Sequence, residues 1–199
     1  MIFERNVKGS TEVLQKATIA VAGCGGLGSN AAVSLARAGI GALIIADFDT
    51  VEASNLNRQH YFQSDIGKPK TEALSCHLKA INPGIKVKSH QKKLAPDDIK
   101  RLFSEAALLI EAFDRAESKV WLIESWCAAF PEKAIICGSG LAGYGDNGSL
   151  AVRHSGKIYI CGDEKSDMNI GLCAPRVAIV ANMQANTAVE LLLKECRGK

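Results

Sequence analysis

The sequence has seven cysteines but no C-x-x-C pair, which excludes the paired-thiolate pattern of a four-thiolate structural zinc site. Seven is also an odd number, and the N-terminal stretch MIFERNVKGSTEVLQKA has no apolar core of signal-peptide length. The cysteines therefore read as reduced thiols of a cytoplasmic protein, not as a disulfide framework. Long apolar runs are missing too: TIAVAG and ALIIA are far too short to span a membrane. Charge is nearly balanced, with a formal net of +3 and no basic run beyond two or three residues. Nucleic acid is accordingly not an expected partner. There are four histidines, none inside a recognisable motif. Aromatic residues make up only 6%, yet 47% of the chain is hydrophobic, so the core must be aliphatic.

A chain of 199 residues is expected to form a single domain over 1–199. ATIAVAG (17–23) is β-branched and apolar and reads as a buried strand. A glycine-rich turn follows, and then an alanine-rich helix over 29–39. GALIIADFD (41–49) reads as a second buried strand. A helix over 69–84 places Leu74, Leu78 and Ile81 on one face and stops at Asn82-Pro83-Gly84. Strand 85–90, helix 95–103, strand 107–114, helix 117–130 and strand 133–140 complete the alternation, with Trp121 expected in the core. SLAVRH and KIYICG, separated by two residues, read as a hairpin. A polar loop over 163–174 leads into a long helix from Pro175. The expected fold class is α/β, a Rossmann-like doubly wound, mostly parallel sheet with a small antiparallel C-terminal addition. Residues 17–114 form the nucleotide-binding half and 115–199 its continuation.

The chemistry lies at the carboxyl ends of these strands. Gly23, Gly25 and Gly28 form G-x-G-x-x-G between a strand and a helix, where glycines let a phosphate chain approach unpaired backbone amides. Asp47 ends the next strand, where a carboxylate accepts from ribose hydroxyls. Arg58 and Lys70 fit a dinucleotide poorly, because its bridging pyrophosphate needs few cations. A triphosphate reacting at its α-phosphate needs more. Spacing alone leaves open whether these two are surface cations. It also leaves open whether Asp114, beyond the strand ALLIEAF, holds magnesium or only begins a helix.

GCGGLGSN, ADFDTVEASNLNRQ, GKPKTEA and INP, in this order and spacing, resemble the ThiF/MoeB/ubiquitin-activating superfamily. EAFD at Asp114 and GSGLAGYGDNG over 138–148 extend the resemblance toward the C-terminal helix. Enzymes of this superfamily adenylate the C-terminal carboxylate of a ubiquitin-like protein. The resemblance implies ATP and Mg2+ as cofactors. It implies that Gly23, Gly25, Gly26 and Gly28 line the nucleotide and that Asp47, with Asp49 beside it, holds the ribose side. It implies further that Asn55, Arg58, Gln59 and Lys70 handle phosphates and that Asp114 positions magnesium. The stretch FERNV resembles the family's arginine-bearing start. Arg5 is thereby a candidate finger reaching a neighbouring subunit's site, which implies a homodimer.

The compact, CxxC-free chain is most similar to the ThiF-type branch whose partner is the sulfur carrier ThiS, without the zinc of bacterial relatives. Molybdopterin-type carriers and the tRNA threonylcarbamoyl carboxylate are the alternatives within the superfamily. Some members use a cysteine near the bound tail. Here Cys161 and Cys173 flank the polar loop, as possible acceptors of sulfur or as small packing residues. The nucleophile, a carboxylate with a pKa of about 3.5, is ionised at neutral pH and needs no general base. A nicotinamide-dependent dehydrogenase is disfavoured by the Arg58–Lys70 pair, and a non-catalytic scaffold by the intact acidic and basic set.

Overall fold

The computed structural model describes residues 2–197, with side chains as far as Lys194. Seven strands form one sheet in the order β3-β2-β1-β4-β5-β7-β6. They are β1 (Thr18–Ala22), β2 (Ala42–Asp47), β3 (Lys86–Gln91), β4 (Leu108–Glu111), β5 (Ile135–Gly138), β6 (Ala151–Ser155) and β7 (Ile158–Gly162). All neighbours are parallel except β6 and β7, the hairpin read from the sequence. The helices are α1 (Ser10–Leu14), α2 (Gly26–Ala38), α3 (Lys70–Ile81), α4 (Pro96–Phe103), α5 (Ala116–Ala129) and α6 (Ala174–Arg197).

Each inner strand is apolar on both faces because helices cover both. Ile19, Val21, Leu43, Ile45, Leu108 and Ile110 point into one aliphatic cluster with α2, α3 and α6. Ala20, Ala22, Ile44, Ala46 and Leu109 point to the other side, against α4 and α5. The chain changes side between β1 and β4, so a crevice opens at their carboxyl ends, the switch point at which such sheets bind ligands.

Three expectations shift in detail. Helix α2 starts at Gly26, inside the glycine motif, because Gly25 takes the N-cap position. Strand β4 ends at Glu111 instead of Asp114: the Phe113 amide turns back to donate to the Glu111 carboxylate at 2.7 Å. Trp126, not Trp121, is the fully buried tryptophan. It lies one turn from Leu122 on the sheet-facing stripe of α5, whereas Trp121 is half-buried, packing at the edge of the same core with its ring centroid 5.8 Å from that of Phe113.

The loop over 162–172 is tied down within the chain. The Asp163 carboxylate accepts from the amides of Lys165 and Ser166 and pairs with Arg176 at 2.6 Å. The Gly143 amide donates to the Gly171 carbonyl.

Candidate functional site

The glycine loop connects β1 to α2 at the switch point. Gly23 has a φ of +95°, and a Cβ there would lie 2.7 Å from the Ala112 carbonyl oxygen. At Gly28 a Cβ would fall 1.8 Å from the Gly23 carbonyl oxygen. The loop closes on itself only with glycine at both positions. At Gly25 the nearest atom to such a Cβ is Gln59 Nε2, 3.9 Å away, so this side of the loop is open. The first amides of α2 are left without intrahelical partners, as at any helix start.

Asp47 anchors the loop. Its Oδ2 accepts from the Cys24 amide at 2.6 Å and its Oδ1 from the Asp49 amide at 2.8 Å. Burial pushes the Asp47 carboxyl above its usual range, and these two amides oppose that shift. Beyond Asp47, the stretch 49–51 pairs with 67–70: the Val51 amide donates to the Lys68 carbonyl and the Lys70 amide to the Asp49 carbonyl. This short ladder delivers Lys70 to the start of α3. The Lys70 side chain is 8% exposed and its Nζ lies 3.0 Å from Asp49 Oδ2, while Asp49 itself is 46% exposed.

Arg58 lies across the loop, its Cγ 3.7 Å from where a Gly26 Cβ would sit. Its Nη1 donates to the Ser54 carbonyl and to Asn57 Oδ1. Gln59 is buried, and its Oε1 has no hydrogen-bond partner among the described residues, an uncommon state for a buried carbonyl. Asn55 is also buried; its Oδ1 accepts from the Glu52 amide and holds the turn that presents Arg58 and Gln59. Asp114 is exposed in the loop after β4, on the same edge of the sheet.

Arg5 is elsewhere. The N-terminal segment is docked where α2 ends: Asn6 Nδ2 donates to the Ala38 carbonyl, and Phe3 lies against Gly39. Helix α2 is 13 residues long, so Ala38 lies roughly 18 Å from Gly26 at 1.5 Å of rise per residue. Arg5 is therefore remote from the glycine loop of its own chain. The two cysteines also part company. Cys161 is fully buried in β7, where burial pushes its thiol up to about 11, whereas Cys173 is exposed just before α6. Cys196 lies outside the described side chains.

Three residues of this edge escape sequence reasoning. Glu111 is wholly buried at the end of β4, and Lys119 Nζ holds its two oxygens at 3.0 and 2.8 Å and the Gly138 carbonyl at 3.0 Å. Burial pushes the Glu111 carboxyl upward against the pull of Lys119. In sequence Glu111 is a single acid inside ALLIEAF, with nothing to pair it to a lysine eight residues later. The third is Tyr61, whose hydroxyl lies 2.8 Å from the Cys24 carbonyl and 3.3 Å from that of Lys70. Its position two residues past Gln59 is its only sequence signal.

Several proteins of named activity resemble this chain in sequence. Molybdopterin-synthase adenylyltransferase of Salmonella typhimurium is 30% identical over 188 residues, 91% of this chain and 75% of that protein. The sulfur carrier protein ThiS adenylyltransferase of Escherichia coli is 30% identical over 181 residues, 87% of this chain and 71% of that protein. The chain spans only 26% of the larger adenylyltransferase/sulfurtransferase MoeZ of Mycobacterium tuberculosis. Among solved structures, Escherichia coli tRNA N6-threonylcarbamoyladenosine dehydratase in complex with AMP superposes with a TM-score of 0.86 at 23% identity. The alignment covers 96% of this chain and 91% of that one, a likeness of fold. The ThiF family profile matches residues 1–199, and the chain belongs to the ThiF family as an adenylyltransferase.

Proposed function

We propose that this protein uses ATP to adenylate the C-terminal glycine carboxylate of a ubiquitin-like, ThiS-like sulfur carrier in the cytoplasm, as a step of thiazole formation in thiamine biosynthesis. The observation that carries this reading is Lys70, a nearly buried cation beside the glycine loop whose only salt-bridge partner among the described residues is the half-exposed Asp49. A buried ammonium whose counter-ion is half-exposed, and so can turn to water, suits an incoming polyanion.

In the proposed reaction a carboxylate oxygen attacks the α-phosphorus and the bond from that phosphorus to the bridging oxygen breaks. The electron pair leaves with pyrophosphate, and the products are an acyl-adenylate and pyrophosphate. No proton need be removed from the nucleophile. Asp47 would accept from the ribose, and the Gly25–Gly28 turn would receive phosphate oxygens. Lys70 and Arg58 would hold the charge of the departing pyrophosphate, and Gln59 would offer its unpartnered Oε1 to the nucleotide. Magnesium, when bound, would neutralise phosphate oxygens. Asp114 fits this ion's habit of taking one or two carboxylates together with substrate phosphates, being an exposed carboxylate at the same edge. Arg5, remote from its own loop, suits delivery to a second subunit in a homodimer.

The matched relatives do not single out a carrier, since molybdopterin and ThiS adenylyltransferases are each 30% identical. The test is ATP–pyrophosphate exchange with ThiS-type and molybdopterin-type carriers ending in Gly-Gly, and with tRNA. Exchange stimulated by the ThiS-type carrier supports the proposal. Stimulation by the molybdopterin-type carrier or by tRNA alone replaces the substrate.

A further inference from the structure

We infer that Tyr61 is a positioning residue whose hydroxyl braces the glycine loop and Lys70 in the geometry that receives a triphosphate. The inference rests on the ATP reading above and assigns a role to a side chain outside the acidic and basic set. Tyr61 is 5% exposed, and its hydroxyl lies between two backbone carbonyls, Cys24 at 2.8 Å and Lys70 at 3.3 Å. One carbonyl belongs to the glycine loop and the other to the first turn of α3.

The consequence follows from peptide geometry. In a planar trans peptide the C=O and the next N–H point in opposite directions. The Cys24 amide is fixed by Asp47 Oδ2 at 2.6 Å and the Cys24 carbonyl by Tyr61. With that carbonyl drawn toward the buried phenol, the Gly25 amide must point away from it, on the open side of the loop. Glycines have no side chains with which to hold such an orientation, so it is imposed from outside. The same segment is clamped to α2 by Asn30 Nδ2, which donates to the Arg58 carbonyl at 2.9 Å, and by the His60 amide, which donates to Ser29 Oγ at 2.9 Å. Tyr61 thus links the segment bearing Arg58, the loop bearing Gly25 and the helix bearing Lys70. Burial holds the phenol far above its ordinary pKa, so it stays a protonated donor across the working pH range.

The test compares wild type with Tyr61→Phe, which keeps the ring and deletes the hydroxyl, by calorimetric titration of the full chain with MgATP and separately with adenosine. Loss of one neutral hydrogen bond predicts ATP binding about 5–10-fold weaker in the variant. Adenosine, which lacks phosphates, is expected to bind within twofold of wild type, and kcat at saturating ATP to change little while KM for ATP rises. Equal weakening of ATP and adenosine would mean general packing and would overturn the brace. ATP binding unchanged in Tyr61→Phe would overturn it as well, leaving the nucleotide reading intact. Failure of wild type to bind ATP would remove that reading and the brace with it. A readout independent of any variant is the Gly25 amide resonance in 15N-labelled wild type. It should shift on addition of ATP, and a stationary resonance would refute the proposed orientation.

Discussion

Replacing Lys70 by methionine separates what this residue does for the fold from what it does for the reaction. Methionine keeps an unbranched apolar stem of similar length, so the packing around α3 and the glycine loop is retained while the charge is lost. The ion pair removed has a partner that is 46% exposed, and Asp49 can rehydrate in place. The stability cost is accordingly that of a largely screened pair, about 0–1 kcal/mol. The chemical cost is different in scale. A donor aimed at charge that develops in the transition state contributes about 2.7–4 kcal/mol, or roughly 100- to 1,000-fold in rate. The expected result is pyrophosphate exchange reduced by that factor at saturating carrier, with a thermal unfolding midpoint close to wild type. Lys70→Arg should recover part of the loss, because it restores the charge in a larger, planar head group. Exchange in Lys70→Met within threefold of wild type would refute the assignment. Loss of activity matched by loss of folded protein would show that Lys70 serves the structure and would contradict the small stability cost.

Further outcomes are expected of other residues. If Arg5 acts across a two-fold interface, mixing inactive Arg5→Ala with inactive Lys70→Met and allowing subunit exchange should restore about a quarter of wild-type exchange, since half the dimers would carry one intact site; no recovery after verified exchange would contradict delivery in trans. Asp163, buried against Arg176, has its carboxyl held down to about 2, with backbone amides and Arg176 outweighing the opposing effect of burial. Its folded pKa lies below its unfolded value of about 3.9, so its contribution is complete above pH 4 and fades as pH falls toward 2. Asp163→Asn should therefore lose about 3 kcal/mol or more in urea unfolding at pH 7, because it strands a buried arginine, and the gap from wild type should close toward pH 2. In native protein, iodoacetamide should label Cys76 and Cys173 well before Cys24, Cys137 and Cys161, whose thiols burial pushes upward, as read by peptide mass spectrometry. Rapid native labelling of Cys161 would show that β7 opens far more readily than its packing implies.

The order of elements from β1 onward was legible because each inner strand is a short apolar run bounded by turn residues and α3 carries a 3.6-residue apolar stripe; the five-residue α1 was not read. The glycine motif and Asp47 were legible because both sit at fixed offsets from strand ends, whereas Arg58 and Lys70 were marked out by the family resemblance and not by spacing. Strand limits were less so: Glu111 lies within an apolar run, and only the returning Phe113 amide marks where β4 stops. Trp121 and Trp126 share one helix, and the direction of the sheet from α5 decides which of them is buried.

What the sequence by itself determined is the strands and the helices after α1, the doubly wound class and the places of the glycine motif and Asp47 at the carboxyl edge, because local periodicity and short-range spacing encode all three. Only the tertiary structure decided which of those residues meet. Lys70 reaches Asp49 through a backbone ladder between 49–51 and 67–70, Tyr61 reaches Cys24 across 37 positions, and Lys119 closes on a glutamate hidden in a strand. Each contact joins parts of the chain whose separation in sequence carries no periodic signal, and is fixed by the way helices pack back onto a twisted sheet. Arg5, close in sequence to the first strand yet remote from the glycine loop, was placed by the same packing.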